Sequence, residues 1–336
     1  MDKLSSLTLP WPTDWDTLFP PELRGAPLIL EIGFGGGAYL LHLARTNPNA
    51  RVIGLEISNR SLEAAERAIV REGLINVRPL HSFAETALHH LFQPGTLAQV
   101  HINFPDPWFK SRHSHRRLMQ RDTLDAIVSR LTPNGEFYLA TDIREYAEMS
   151  AELLAATPGL ANQLEAAWVH DLPSRGTATK YEARARHEGR PCHYFAYRRS
   201  AHPAPDVPVI EELAMPHIVF TSPLSLDEML ARFEPKQDSS GGIHVHLIDA
   251  YRGKGTVLFE AHVSEPTIDQ KIALMLLERR TEVGKAPEFT LQLGTIGHPR
   301  PTEGVHLAVK LLGDWLLSLH PDARPIKHKL QPVRGH

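Results

Sequence analysis

One carboxylate in this chain is fixed by its neighbours. Asp106 lies between Pro105 and Pro107 in "NFPDPW", with Phe104 before the trio and Trp108 and Phe109 after it. Proline fixes its own φ and restricts the residue before it, so Asp106 has few conformations open to it. The next turns carry Lys110, Arg112, Arg116 and Arg117 with no acid among them. A pinned carboxylate can accept hydrogen bonds from a donor edge such as the Watson–Crick edge of guanine. Aromatic rings stack on bases, worth about 1–3 kcal/mol each, and cations that follow can neutralise phosphates. The chemistry described is the holding of one nucleotide of a polyanion.

A second constellation comes earlier. "EIGFGGGAYLLHLA" (31–44) follows an apolar run and opens a helical pattern. Read as G-x-G-x-x-A, Gly33, Gly35 and Ala38 fit a nucleotide-binding turn. Glycines let the backbone approach a ligand, and the helix N-terminus offers free N–H groups. Two acids narrow the ligand. Glu56, about 20 residues beyond the loop, is placed to accept both hydroxyls of a ribose. Glu31, just before the first glycine, would repel a pyrophosphate and suits an ammonium group. The pair fits a nucleoside with an amino-acid end, such as S-adenosylmethionine, better than it fits NAD.

These side chains need a scaffold that brings strand ends together. Apolar runs at 28–33, 51–57, 76–81, 97–104 and 136–142 are separated by helix-length segments. That alternation predicts an α/β fold, a mostly parallel sheet with helices on both faces. Two further strands are expected at 165–171 and 192–199, paired as an antiparallel hairpin. "NFPDPW" then lies at the end of the fourth strand, beside the crevice where ligands bind in open α/β sheets. "SAHPAPDVPVIEE" reads as a linker. We expect an N-terminal arm at 1–24, a cofactor-binding domain at 25–200, a linker at 201–208, a smaller α+β domain at 209–322 and a loose basic tail at 323–336. Within the second domain, "TIDQKIALMLLERR" and "TEGVHLAVKLLGDWLLSLH" show helical spacing, and "YRGKG" joins two strands.

Composition bounds the setting. The chain has 336 residues, 42% hydrophobic, with net charge -3 and a single cysteine, Cys192. A disulfide within the chain and a cysteine-based zinc site are excluded. No apolar run approaches a membrane span, and the N-terminus lacks the pattern of a secretory signal, so a soluble cytoplasmic protein is expected. The near-neutral balance means that any polyanion site is a local patch. His244 and His246 in "IHVHL" share a strand face but have no evident third ligand, and no metal is expected.

"EIGFG", "GLEIS", "NFPDPWFKSRHSHRRL", "TDIREYAE" and "TATKYEARA" occur in this order over residues 25–200. Together they resemble the bacterial tRNA (guanine-N7-)-methyltransferase family, and the "FPDPW-x-K-x-RH-x-x-RR" segment is the most specific part. The resemblance implies a Rossmann-like, seven-stranded class I methyltransferase sheet. It also implies S-adenosylmethionine as methyl donor and the variable-loop guanosine (position 46) of tRNA as acceptor. Carried over by motif, Glu31 and Glu56 match cofactor acids, Asp106 the acid taken as catalytic, and Asn103 the place beside the transferred methyl. Lys110 and Asp142 match substrate contacts, and Thr179, Lys180, Tyr181 and Glu182 the substrate loop. Arg112, Arg116 and Arg117 are expected on phosphates, with Lys180 and Arg175 as a second contact wall for tRNA. Phe109 stands where the family often has histidine. Ser82 and Phe83 stand where it tends to have an aspartate near the adenine; a hydroxyl contact or ring packing would replace it. Other readings from the residues are a class I methyltransferase or aminopropyltransferase with a different acceptor, and a tRNA-binding protein without chemistry. The basic run disfavours a cationic acceptor.

Overall fold

The computed structural model describes residues 4–108, 117–177, 179–279 and 286–332. The chain divides into two units, Met1–Ile210 and Glu211–His336. In chain order the first unit holds β1 (Leu4–Ser5), β2 (Leu28–Ile32), α1 (Ala38–Thr46), β3 (Arg51–Glu56), α2 (Asn59–Glu72) and β4 (Val77–His81). It continues with α3 (Ala84–Thr86), β5 (Leu97–Asn103), α4 (Arg121–Arg130), β6 (Leu131–Thr141), α5 (Arg144–Ala155), β7 (Leu160–Asn162), α6 (Lys180–His187) and β8 (His193–Arg199).

The strands form one sheet in the order β1-β4-β3-β2-β5-β6-β8-β7. Strands β1 to β6 run parallel, and β8 lies antiparallel to both β6 and β7. Every residue of β2 is buried, as a strand covered on both faces requires. Ile29, Val52 and Val77 pack on one side against Leu40, Leu43, Leu62 and Ile69 of α1 and α2. The order reverses between β2 and β5, so Glu31 and Asn103 end adjacent strands at the switch point.

Six of the seven expected strands are present, and two unexpected ones, β1 at the edge of β4 and β7 at 160–162, bring the sheet to eight. The N-terminal arm is thus folded onto the unit. Trp15 stacks on Phe92 at 4.5 Å, and Trp11, Phe19 and Leu23 are buried. The strand expected at 165–171 is displaced to β7, and only Val169 bridges to Tyr194. "EAAWVHD" has one apolar cluster but no alternation, so little of it gains from pairing. The proline-rich linker is also anchored at its end. Buried Arg130 donates to the carbonyls of Val207 (2.7 Å) and Pro208 (3.2 Å), and Ile210 exchanges hydrogen bonds with His89 and His90. Proline carbonyls keep their acceptor strength although the residue offers no donor.

The second unit is an antiparallel sheet carrying two helices: β9 (His217–Thr221), α7 (Leu226–Ala231), β10 (Lys236–Ser240), β11 (Ile243–Gly253), β12 (Thr256–Glu265), β13 (Ile268–Arg279), β14 (Glu288–Leu293), α8 (Glu303–Ser318) and β15 (Arg324–Lys329). Strand order is β10-β11-β12-β13-β14-β9-β15. One face packs Val245, Phe259, Leu274 and Leu291 against Val305, Val309, Leu312 and Leu316 of α8. Two expectations fail here. "TIDQKIALMLLERR" is the strand β13, not a helix. Its run "IALMLL" satisfies both periods, and the hairpin register with β12, from Glu265↔Ile268 to Thr256↔Leu277, decides. Ile268, Gln270, Ile272, Leu274 and Leu276 are buried in strict alternation. The tail expected at 323–336 is not loose over 324–329. That segment is β15, paired to β9 with all six residues exposed, so its basic side chains hid a strand held chiefly by backbone bonds. His244 and His246 are both exposed on β11, and among the described residues no cluster of three potential ligands could hold a metal.

Candidate functional site

Gly33 and Gly35 follow β2 with φ of 72° and 52°, a backbone that side-chain-bearing residues rarely adopt. Their added Cβ atoms would meet nothing within 4 Å, so the loop faces open space. Its shape is fixed from β3: the N–H groups of Gly33 and Phe34 donate to the Leu55 carbonyl. Glu56 accepts from the Gly35 N–H at 2.8 Å with one oxygen and from Ile57 and Ser58 with the other. Glu56 is thereby oriented at the loop's rim, part-exposed, with lone pairs left for hydroxyl donors.

Glu31 is 1% exposed. Its Oε1 accepts from Asn103 Nδ2 at 2.8 Å across the switch point, while its Oε2 is buried without a hydrogen-bond partner. Burial pushes its pKa up to about 7, opposed by the Asn103 hydrogen bond and the field of Arg175. A buried acid with one unsatisfied oxygen is a receptor for a cation or donor. Farther along the rim, Ser82 is buried and its hydroxyl donates to the Phe83 carbonyl, while the ring of Phe83 is exposed. Ile57, directly after Glu56, is also exposed. The two apolar side chains are suited to packing on a purine. Ile57 was not singled out from sequence; the only available signal is an apolar residue following an acid at a strand end.

The loop after β5 carries the opening motif. Asn103 is buried, and the Phe104 N–H donates to the Ala140 carbonyl at 2.8 Å. Phe104 and Trp108 have φ of 50° and 41°. Such conformations cost of order 1–3 kcal/mol each and persist where surrounding contacts impose them. One such contact is Arg117, whose guanidinium donates to the carbonyls of Pro107 (3.0 Å) and Trp108 (3.3 Å). Arg117 is expected on phosphate; here it clamps the loop instead, supplying donors to two part-buried carbonyls. The result presents Asp106 exposed between two fixed ends. Lys110, Arg112 and Arg116, with Phe109, lie outside the described residues.

The loop entering α6 is the third wall. Thr179 caps α6 and forms a capping box with Glu182. Lys180 and Tyr181 are exposed, as substrate contacts must be. Two residues differ from expectation. Glu182 is 1% exposed, its carboxylate occupied by Arg175, Arg186, Tyr194 and the Thr179 N–H. It organises the loop rather than facing a nucleic acid. Arg175 is buried as well, so it cannot line an outer phosphate wall. Its aromatic surroundings, with the guanidinium 4.4 Å from the Tyr39 ring, replace the solvent a surface arginine would keep. Asp142, past the end of β6, is paired with Arg190.

The geometry thus gathers Glu31, Gly33, Gly35, Glu56, Ser82, Phe83, Asn103 and Asp106 along the C-terminal edge of the sheet. A family model described as a putative methyltransferase matches residues 25–195. A tRNA (guanine-N(7)-)-methyltransferase of Thermus thermophilus is 33% identical over 327 residues, 97% of this chain and 96% of that protein. One of Burkholderia cenocepacia is 38% identical over 188 residues, 56% of this chain and 72% of that protein. Among solved structures, the 16S rRNA methyltransferase KamB matches with a TM-score of 0.43 and 18% identity, over 60% of this chain and all of that one. The Thermus alignment runs through the second unit.

Proposed function

The chain belongs to the tRNA (guanine-N7-)-methyltransferase family and is an S-adenosylmethionine-dependent enzyme acting on tRNA; from that premise we propose how its own residues divide the work, and that the acceptor is the variable-loop guanosine. The cradle fits the cofactor: the orphaned Oε2 of Glu31 suits the ammonium, Glu56 the ribose hydroxyls, and Ile57 and Phe83 the adenine. Bound S-adenosylmethionine supplies an electrophilic methyl group on a sulfonium centre.

Guanine N7 carries an in-plane lone pair and no proton. No general base is needed to make it a nucleophile. The residues' task is therefore position and charge. Asp106 accepts from the donor edge of guanine and leaves N7 turned away from it, toward the cofactor crevice. As the ring gains positive charge, the same carboxylate stabilises it. Orientation of this kind supplies up to about 7–11 kcal/mol in well-aligned systems. Lys180 and Tyr181 hold the acceptor strand from the α6 side. Arg117 keeps the Asp106 loop in its strained form.

The observation that carries this reading is the exposed Asp106 on a backbone held by Arg117 next to the Asn103–Glu31 pair. Asp106→Asn tests it. Single-turnover methylation, read by mass spectrometry of tRNA digests, should fall about a hundredfold, with tRNA affinity within about threefold of the parent. Unchanged turnover would remove Asp106 from the mechanism.

A further inference from the structure

Two buried groups beside the glycine loop each keep one open valence, and they carry opposite charge. Glu31 Oε2 has no hydrogen-bond partner, and neither has Arg175 Nη2. They feel each other's field, yet they form no ion pair with one another. Leaving either atom buried and unbonded costs free energy that a good core does not tolerate. The fold tolerates both, and it fixes Arg175 in place to do so. Its Nε donates to Glu182 at 3.0 Å, and its guanidinium lies 4.4 Å from the Tyr39 ring, 5.4 Å from Tyr194 and 5.9 Å from Phe104. Glu182 is itself locked by Tyr194, Arg186 and the α6 cap. Tyr39 stands in the first turn of α1, directly after the glycine loop, and Phe104 follows Asn103. Arg175 is thus set between the cofactor loop and the acceptor loop, with its unpartnered Nη2 fixed in direction.

A ligand that satisfies an orphaned carboxylate oxygen and an orphaned guanidinium nitrogen together carries both a cation and an anion. The α-amino-acid end of the cofactor has that structure. We propose that Arg175 is the receptor for the carboxylate of the cofactor's methionine moiety, opposite Glu31, which receives its ammonium. The inference rests on the cofactor reading above and adds a residue to it. It also explains why "TATKYEARA" begins so close to Arg175: the carboxylate contact and the substrate-loop helix share Glu182, so one buried acid serves both.

The test compares S-adenosylhomocysteine with its decarboxylated analogue, which keeps the amine and lacks the carboxylate. Binding of each to the full chain is measured by calorimetry. The parent protein should bind the decarboxylated analogue about 10- to 100-fold more weakly, the range of a charge-assisted pair. In Arg175→Met that preference should shrink to less than about threefold, while affinity for the decarboxylated analogue stays within about threefold of the parent. Removing Arg175 leaves Glu182 unpaired, so Arg175→Met/Glu182→Gln is made alongside, and Arg175→Lys keeps the charge without the fork. Thermal melting identifies which variants fold. Full discrimination retained in any folded variant that lacks Arg175 overturns the proposal, and so does equal affinity of the parent for both ligands. For Arg175→Lys, discrimination should drop at least about threefold, and no drop counts against the assignment. Failure of the parent to bind S-adenosylhomocysteine at all would instead sink the cofactor reading itself.

Discussion

The two units bury polar groups in opposite ways. In the second, the sheet alternates cleanly and its main core is apolar; Gln270, buried at its margin, bonds Thr302 and the Arg300 backbone, and Thr302 donates to Glu265. In the first, Glu31, Arg175 and Glu182 are all buried near one strand edge, and Glu31 and Arg175 keep atoms without partners. Packing alone would select against such groups. Their retention side by side with opposite charge, next to the glycine loop, marks where the molecule waits for a ligand.

That contrast can be broken from either side. The largest effect on stability should come from the apolar core. Phe289 is fully buried and stacks on Phe220 at 5.5 Å. Phe289→Ala should destabilise the second unit by about 3–5 kcal/mol, measured by denaturant titration, with S-adenosylhomocysteine affinity within about twofold. Loss of cofactor binding there would show that the contrast between units is wrong.

Glu31→Gln should do the reverse. The folded pKa of Glu31 is raised from 4.5 to about 7. A raised value means that its contribution to stability is complete below the unfolded pKa and is lost as pH rises to about 7. Above that pH the ionised side chain is a net burden of up to about 3 kcal/mol. The glutamine variant should therefore melt at a higher temperature than the parent near pH 8, and bind S-adenosylhomocysteine at least about a hundredfold more weakly. A variant that is less stable and still binds would contradict the assignment.

The smallest effects separate clamp from contact. Arg117→Ala should lower methylation about tenfold, through the loop, with the salt dependence of tRNA binding nearly unchanged. Lys180→Ala should flatten that dependence by about one unit of log–log slope and spare single-turnover rate at saturation. Exchanged outcomes would return Arg117 to the phosphates.

Much of the site was legible because its residues sit where chain direction fixes them. Glu31, Gly33, Glu56 and Asn103 end parallel strands, and apolar runs show strand ends well. Asp106 was legible because its prolines are local. What was not legible depends on contacts distant in sequence. Arg175 and Arg117 looked like surface cations, since nothing nearby shows that Glu182 or the Pro107 carbonyl will bury or bind them. Strand β13 reads as a helix because six consecutive apolar residues satisfy both periods, and β15 reads as a tail because an edge strand held by backbone bonds needs no apolar side.

Cofactor recognition turns on Glu31 receiving the ammonium. The direct measurement is the affinity of the parent protein for S-adenosylhomocysteine across pH, with proton release read in buffers of different ionisation heat. Because the free protein binds a proton at Glu31 below about pH 7, affinity should fall toward tenfold per unit as pH drops below that point, with close to one proton released on binding, and level off above it. An affinity flat from about pH 5.5 to 8 with no proton released would contradict it.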